Sequence, residues 1–321
     1  MTTAKKVWLI VAALLVLAGS IMFVGVMTVL DWDFSKLGTN PYETNLHAIT
    51  EDFQDISIRT NTATITFLPS PDGKCTVECY EREKALHAVT VEDGTLVIKV
   101  QDTRAWYEYI GINVGFPKIT VYLPESQYAS LFVKASTGSI KIPQDFTFTT
   151  ADLTVTTGSV NFNASASEEI KIKTTTGNIR VENTSAGALN LSASTGAITL
   201  SKVSCEGDAD LRVTTGKTML TDVSCRNLIS TGSTGDIALA NVIADEKITI
   251  ERSTGDIVFI GCDASEIYAE ASTGDITGSL LTEKVFFAQS DTGRINVPKT
   301  ITGGRCELAT DTGNIKIEIV P

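Results

Sequence analysis

The sequence predicts an all-β protein: a parallel β-solenoid of about ten coils of 19–20 residues, preceded by irregular β coils and by one transmembrane helix. Three observations lead to this fold class. A phrase of four residues, [Ser/Thr/Asp]-Thr-Gly-x, recurs ten times at intervals of 19 or 20 residues. Apolar residues follow nearly every copy, two and four positions after the glycine. One long uncharged run lies near the N-terminus. A period this short and regular is typical of stacked repeats.

The uncharged run, residues 7–30, is long enough to be a transmembrane helix or signal anchor. At about 1.5 Å per residue it would span roughly 36 Å, which exceeds a hydrocarbon core of about 30 Å. Lys5 and Lys6 precede it, so the positive-inside rule predicts a cytoplasmic stub at residues 1–6. We therefore expect a single-pass protein of the cell membrane whose bulk is extracytoplasmic. A cleaved signal peptide is the alternative.

Residues 31–45 are predicted to be a tether, because Gly38 and Pro41 end any helix that continues from the membrane. Residues 46–135 alternate with period 2 between turn residues, which predicts an irregular β region with an N-terminal cap. The candidate strands there are Asp55–Arg59, Thr64–Phe67, Cys75–Tyr80, Thr95–Val100, Lys118–Leu123 and Leu131–Lys134. No helical pattern of useful length follows residue 30.

Residues 136–321 are predicted to form the regular solenoid. The columns that stay apolar lie at two, four, seven and nine residues after the repeat glycine and at five and seven before it, and a small residue usually lies three before. Glycine turns a tight corner because it adopts positive φ without steric cost. The predicted corners are Gly138, Gly158, Gly177, Gly196, Gly216, Gly235, Gly255, Gly274, Gly293 and Gly313. We expect the threonine before each glycine to form a ladder whose hydroxyls bond to one another or to the corner backbone.

These repeats, with the segment Ile119-Thr-Val-Tyr-Leu-Pro124 and the N-terminal anchor, resemble the bacterial putative-adhesin family, a domain of unknown function on membrane-anchored proteins of Gram-positive bacteria. The resemblance covers roughly residues 45–319. It implies a β-solenoid outside the cell and brings no catalytic residues. Because some relatives occur beside envelope-stress regulators, it implies a sensor or accessory role as readily as adhesion.

The composition limits the chemistry. A net charge of −12 argues against nucleic acid as a partner. The two histidines, His47 and His87, lie forty residues apart and outside the repeats, which supplies little for a metal site or a catalytic relay. Cys205 and Cys225 share an offset in neighbouring coils, within reach of a disulfide, but side chains of parallel strands in register point the same way, which favours free thiols.

Acidic residues recur in the later coils. Asp236, Asp256 and Asp275 directly follow three consecutive repeat glycines, and Asp291 and Asp311 precede the last two by two positions. Stacked carboxylates about 5 Å apart repel one another unless a cation intervenes, so bound Ca²⁺ is one interpretation. The other is that aspartate suits a solvated corner, where its side chain caps backbone amides. Otherwise we expect no cofactor.

The richest aromatic segment after the membrane run contains Trp106, Tyr107, Tyr109 and Phe116. A solenoid must cover its open end, so this segment is interpreted as a cap, with a partner-binding patch as the alternative. A carbohydrate-active enzyme is a weak hypothesis, because the outward columns lack a cluster of carboxylates with a base. Ice binding is an equally weak hypothesis, because it requires a flat face with two rows of threonine, whereas here one column is threonine and the next is mixed.

The leading hypothesis is a non-enzymatic, membrane-anchored surface module that binds an unknown protein or polysaccharide partner. The alternative is an envelope-stress accessory or sensor that acts through a membrane partner.

Overall fold

A computed structural model describes residues 3–32, 42–106 and 115–320 of the chain. In those residues the chain forms one helix, α1 (Thr3–Val29), and strands β1–β23 joined in a single hydrogen-bonded sheet. The strands are β1 (Tyr42–Ile49), β2 (Asp55–Thr62), β3 (Thr64–Pro69), β4 (Cys75–Arg82), β5 (Ala85–Glu92), β6 (Thr95–Asp102), β7 (Lys118–Leu123), β8 (Gln127–Thr137), β9 (Ile140–Ile142), β10 (Thr147–Thr157), β11 (Val160–Phe162), β12 (Ser165–Thr176), β13 (Ile179–Thr195), β14 (Ile198–Cys205), β15 (Asp208–Thr215), β16 (Thr218–Thr234), β17 (Ile237–Thr254), β18 (Ile257–Thr273), β19 (Ile276–Leu280), β20 (Lys284–Thr292), β21 (Ile295–Asn296), β22 (Gly304–Thr312) and β23 (Ile315–Ile319). The predicted β-solenoid is confirmed.

The helix α1 contains the predicted span except for its last residue, Leu30. Its stretch Lys5–Val29 is long and apolar enough to cross a membrane. Residues 1–2 of the predicted stub and residues 33–41 of the predicted tether lie outside the described residues. The strand β1 begins at Tyr42, so it takes up the last four residues of the segment predicted as a tether.

Each coil stacks on the next in register, which buries the predicted columns. In the pair β13–β15, Leu191 lies beside Leu211 and Thr195 beside Thr215. Around Gly196 the residues two, four, seven and nine positions on, and three, five and seven positions back, are all buried. The core is therefore a continuous apolar column that no single coil could close.

The repeat glycine has two physical requirements, which Gly177 illustrates. Its φ is +147°, a value that L side chains rarely adopt. A Cβ at this position would also lie 2.0 Å from the carbonyl oxygen of Gly158 in the neighbouring coil. Its amide donates to the carbonyl oxygen of Thr195 at 2.9 Å. The corner is thus a close approach of backbones as well as a turn.

A second corner lies six residues after the glycine in five consecutive coils, and the sequence analysis missed it. Its residues take the left-handed conformation, with φ between +52° and +60°. They are Asn183, Lys202, Asp222, Asn241 and Gly261. Asparagine, aspartate and glycine tolerate this conformation, and lysine does so less readily.

The N-terminal region, predicted as irregular β coils with a cap, combines parallel coils with antiparallel outer strands. Strands β2 and β3 form a coil directly under the first Thr-Gly coil, by parallel pairing with β8 and β9. Strands β6 and β7 stack under that coil. The outermost strands β1, β4 and β5 pair antiparallel. The sequence analysis assigned neither β1 nor β5 to a strand.

The coils at the C-terminal end do not stack in chain order. The last coil, β22–β23, pairs with β18 and β19 on one side and with β20 and β21 on the other. The coil around Gly293 is therefore the outermost one, and its Ile295 is 45% exposed. The C-terminal strand β23 is not an edge strand, because it pairs with β19 on one side and with β21 on the other. Pro321 lies outside the described residues.

Candidate functional site

One edge of the solenoid carries a strip of exposed hydroxyl groups. The strip consists of the residue two positions before each repeat glycine and the threonine directly before it, and all twenty of these side chains are exposed. Its first column is Ser136, Thr156, Thr175, Ser194, Thr214, Ser233, Ser253, Ser272, Asp291 and Asp311, and its second is Thr137, Thr157, Thr176, Thr195, Thr215, Thr234, Thr254, Thr273, Thr292 and Thr312. We call it the hydroxyl strip. Neighbouring threonines are register partners, as in Thr215 beside Thr234.

The predicted role of these threonines is wrong. Within the described residues, none of the ten hydroxyls forms a hydrogen bond with another threonine or with the corner backbone. The corner is held by main-chain bonds instead: the amide of Gly196 donates to the carbonyl of Thr215 at 2.9 Å, and this pattern repeats along the stack. The hydroxyls remain available to other molecules.

The residue directly after the glycine caps the next coil. An oxygen of the Asp236 carboxylate accepts the amide of Asp256 at 3.3 Å, and Asp256 accepts the amide of Asp275 at 2.9 Å. Lys217 lies 3.0 Å from Asp236. This lysine and the amide of Asp256 hold the pKa of Asp236 below its usual value. The aspartates thus have the amide-capping geometry that we weighed against calcium, and calcium binding at Asp236, Asp256 and Asp275 stays a prediction.

A buried arginine interrupts the apolar core in the later coils. Arg252 is 5% exposed. Its guanidinium donates to the carbonyl of Ser230 at 3.1 Å, to the hydroxyl of Ser230 at 2.8 Å and to the hydroxyl of Thr218 at 3.2 Å. Burial lowers the pKa of Arg252 to about 10, so the group stays charged at neutral pH. A Cβ at Gly232 would lie 3.0 Å from its Nη1.

Thr218 and Gly232 depart from the repeat pattern for one reason, which is their contact with Arg252. Thr218 occupies a column that is apolar in the other coils because its hydroxyl accepts from Arg252. Gly232 leaves the room that the guanidinium fills. The signal in the sequence that could have revealed this network is the coincidence of three departures from the repeat in neighbouring coils. Thr218 and Ser230 stand in apolar columns, and Arg252 stands in the column of small residues.

The N-terminal end holds a second buried polar network, around Glu81, which is 1% exposed. Its carboxylate accepts the side-chain amide of Asn45 at 2.9 Å, and from His87 both the backbone amide at 2.6 Å and Nδ1 at 2.7 Å. The other ring nitrogen of His87 lies 2.9 Å from the hydroxyl of Thr60. Burial alone raises the pKa of Glu81, but these hydrogen bonds outweigh it and leave the pKa below its usual value.

Sequence reasoning missed this network, because its members lie on four different strands and in no motif. The expectation that His47 and His87 are too far apart to act together considered only their separation in sequence. The structure brings them to one carboxylate: His87 bonds to Glu81, and His47 lies within 4.8 Å of it, measured between potential ligand atoms.

The predicted aromatic patch is described only in part. Trp106 is 77% and Phe116 is 74% exposed, whereas Tyr107 and Tyr109 lie outside the described residues. The outermost strands on this end are β1 and β5. The choice between a cap and a partner-binding patch stays a prediction.

The cysteines are all free and buried, as expected for Cys205 and Cys225. Burial raises the pKa values of Cys75, Cys225 and Cys306 to about 12. Their thiols are therefore neutral core groups at physiological pH, not nucleophiles.

The stack of Thr-Gly coils and the parallel coils beneath it also form the region that a family model recognises: residues 53–318 match Toastrack DUF4097. This chain belongs to that family. The match covers both the Thr-Gly repeats and most of the N-terminal region. The resemblance derived from the repeats is confirmed.

Solved structures match this chain at low identity. A putative adhesin from Bacteroides fragilis NCTC 9343 is 16% identical, with a TM-score of 0.44, over 87% of this chain and 97% of its own. A putative adhesin from Parabacteroides distasonis ATCC 8503 is 14% identical, with a TM-score of 0.47, over 74% of this chain and 98% of its own. A putative lipid binding protein from the same strain is 19% identical, with a TM-score of 0.48 and the same coverage. Likenesses at this level say nothing about the role of this chain. A search of curated proteins found no match.

Proposed function

We propose that this Toastrack chain is a non-enzymatic surface module, held in the cell membrane by α1 with its N-terminus in the cytoplasm, which binds an envelope polymer or protein through the hydroxyl strip. The observation that carries the proposal is the strip itself. It presents two adjacent columns of exposed side chains, which are Ser or Thr at every position except Asp291 and Asp311, and the hydroxyls of the threonine column are unbonded within the described residues. A hydroxyl can donate and accept, which suits a partner that is itself rich in hydroxyl or amide groups.

A groove next to the strip supplies charged groups. It has a volume of about 470 Å³ and is lined by Thr214, Ser233 and Ser253 of the strip and by the charged Arg212 and Glu251. The guanidinium of Arg212 already donates to Asp210 from Nε at 3.2 Å and from Nη2 at 2.8 Å, so the hydroxyls are the groups that the groove offers to a partner. The strip and groove together offer a polymer a long, repeating polar surface of about 48 Å, at about 4.8 Å for each of the ten coils.

The binding test uses the full chain in detergent micelles and polysaccharides isolated from the cell envelope of the source organism. One triple variant, Thr214→Ala, Ser233→Ala and Ser253→Ala, removes strip hydroxyls at the groove. The control, Ser185→Ala, Ser204→Ala and Ser224→Ala, removes as many exposed hydroxyls from another face. We expect binding to weaken at least tenfold in the strip variant only. Equal loss in both variants contradicts a role for the strip.

The orientation of α1 in the membrane is tested separately, by adding protease to intact cells. We expect external protease to degrade the β region on intact cells, and to leave it intact if the positive-inside assignment is reversed. If no envelope polymer binds, but deletion of the gene alters an envelope-stress response, the accessory role replaces surface binding as the function.

A further inference from the structure

The N-terminal end brings together three side chains that bind metals. In the antiparallel pair β1–β4, Asn45 lies opposite Cys79 and His47 lies opposite Val77. His47, Cys79 and Glu81 therefore share the inner face of this pair, since alternate residues of a strand point the same way. One potential ligand atom from each of the three lies within 4.8 Å of the other two. Cys79 and Glu81 are 0% and 1% exposed.

Two of the three atoms lack the partners that buried polar atoms normally have. His47 Nε2 is buried and has no hydrogen bond, and among the described residues it is the only such side-chain nitrogen or oxygen. The structure likewise gives no hydrogen bond to the Cys79 sulfur from any residue that it describes. An unsatisfied buried group costs about 1–3 kcal/mol, so an orphaned imidazole nitrogen calls for a ligand.

We propose that His47, Cys79 and Glu81 bind a zinc ion. Imidazole nitrogen, thiolate sulfur and carboxylate oxygen are the three ligand types that zinc takes in proteins. A thiolate and a carboxylate carry two negative charges, which a divalent ion neutralises in a buried site. At zinc–ligand distances of about 2.0–2.3 Å, tetrahedral ligand atoms lie about 3.3–3.8 Å apart, so small side-chain movements close the cluster on an ion. Three protein ligands leave a fourth position for water or another group.

The surrounding hydrogen bonds fit this assignment. Glu81 accepts three hydrogen bonds, from Asn45 and twice from His87, and a carboxylate has about four lone-pair sites. One site is therefore left for a metal, while the other bonds fix the orientation of the carboxylate. His87 in turn contacts the hydroxyl of Thr60. Ligating carboxylates in metal sites are characteristically held by such outer partners.

Zinc would fasten the strand that leads to the membrane helix. The strand β1 is the outermost strand on its side of the stack, and its main-chain pairing is to β4 alone within the described residues. Of the three ligands, His47 comes from β1 and the other two from β4. A bound ion would cross-link these strands and raise the free energy needed to detach β1, because metal affinity is coupled to folding.

The test measures zinc binding to the full chain in detergent micelles after removal of metals with a chelator. We expect one zinc per chain by calorimetry, and with Co²⁺ a thiolate-to-metal absorption band. The ligand variants His47→Ala and Cys79→Ala should lose more than about 100-fold in affinity, and Asn45→Ala, which removes an outer partner, about 10- to 100-fold. The control Cys75→Ala removes another buried thiol from the same face of β4 and should bind as the unchanged chain does.

Circular dichroism of each variant separates loss of the ligand from loss of the fold. If Cys79→Ala does not fold, His47→Gln keeps a polar side chain at an incompletely buried position and serves instead. The proposal is overturned if the unchanged chain binds no zinc at micromolar concentrations. It is equally overturned if folded His47 and Cys79 variants bind zinc and give the Co²⁺ band as strongly as Cys75→Ala.

Discussion

The Thr-Gly coils and the N-terminal end are built from the same continuous sheet, yet they place their polar groups in opposite ways. In the coils, apolar side chains fill most of the interior and the hydroxyl strip lies outside. At the N-terminal end, carboxylate, imidazole and thiol groups lie inside, on β1, β4 and β5. The coils bury one another, whereas the end has a coil on one side only. Stacking therefore accounts for the shape of the molecule, and the interruption of stacking is where unpaired chemical groups collect.

Arg252 shows that the coils can hold a polar interior as well, but under a different condition. Four hydrogen bonds from its guanidinium to the backbone and hydroxyls of Thr218, Ser230 and Glu251 satisfy it within the stack. At the N-terminal end, His47 Nε2 has no such bond. A network in which every polar group is hydrogen-bonded stabilises one structure, whereas a network that leaves a polar atom unbonded can bind a ligand there.

The largest effect on the free energy of unfolding is expected for a substitution at a repeat glycine, which disrupts a corner of the stack. Gly177→Ala places a Cβ 2.0 Å from the carbonyl oxygen of Gly158 at a φ of +147°. We expect it to lower the free energy of unfolding by about 4 kcal/mol or more, since backbone strain and a clash with a neighbouring coil combine. Urea unfolding followed by circular dichroism measures the change.

The control for this substitution lies in the N-terminal region. Gly73 has a φ of +72°, but no atom lies within 4 Å of an added Cβ. Gly73→Ala should cost only about 1–2 kcal/mol, from conformation alone. Equal losses at Gly73 and Gly177 would show that close approach of the coils is not what requires the glycine.

The next largest effect is expected when the hydrogen-bond network around Arg252 is disrupted. Arg252→Ala removes a buried side chain and leaves the Ser230 and Thr218 hydroxyls without this partner, which should cost about 3 kcal/mol in urea unfolding. Arg212→Ala is the matched control: its side chain is 65% exposed and pairs with Asp210 at 2.8 Å, so its loss should cost less than about 1 kcal/mol.

A double variant tests whether Thr218 is polar because of Arg252. Adding Thr218→Ile to Arg252→Ala restores the apolar residue that most coils have in this column. We expect the double variant to be more stable than the sum of the two single changes predicts, because the orphaned hydroxyl is removed with its partner. If the stability losses of the two single variants simply add in the double variant, Thr218 and Arg252 are not coupled, and the proposed hydrogen-bond network is contradicted.

The parts that the sequence predicted are those that repeat. The apolar columns and the glycine corners recur often enough for each coil to confirm the others, so their burial followed from the period alone. The order of the last two coils did not follow from the period, because both carry the same Thr-Gly corner and the same apolar columns. For the same reason, the insertion of β22–β23 between β18–β19 and β20–β21 leaves no signal in the repeat.

The parts that were missed depend on contacts between residues distant in sequence. Glu81, His87 and Thr60 belong to three strands, and no spacing rule joins them. The threonine ladder was wrong for a related reason. The carbonyls of the repeat threonines receive glycine amides of the neighbouring coil. The glycine carbonyls at Gly158 and Gly274 accept the hydroxyls of Thr174 and Thr310, three positions before a repeat glycine, and not those of the repeat threonines. Composition and period describe columns, but not which atoms in a column are already paired.

The smallest expected effect lies at the second corner, where Lys202 takes a φ of +54° in a column otherwise filled by asparagine, aspartate and glycine. Lys202→Asn should raise the free energy of unfolding by about 0.5–1 kcal/mol, because asparagine tolerates the left-handed conformation and the exposed lysine side chain gives up no packing. Lys247→Asn, in an exposed position of β17 outside this column, should be neutral or slightly destabilising, since asparagine is disfavoured in strands. If both changes lower stability in urea unfolding, strain at Lys202 is not a cost in this coil. If only Lys202→Asn raises it, the five residues act as a true corner column, and the solenoid can be strengthened there without touching its core or the hydroxyl strip.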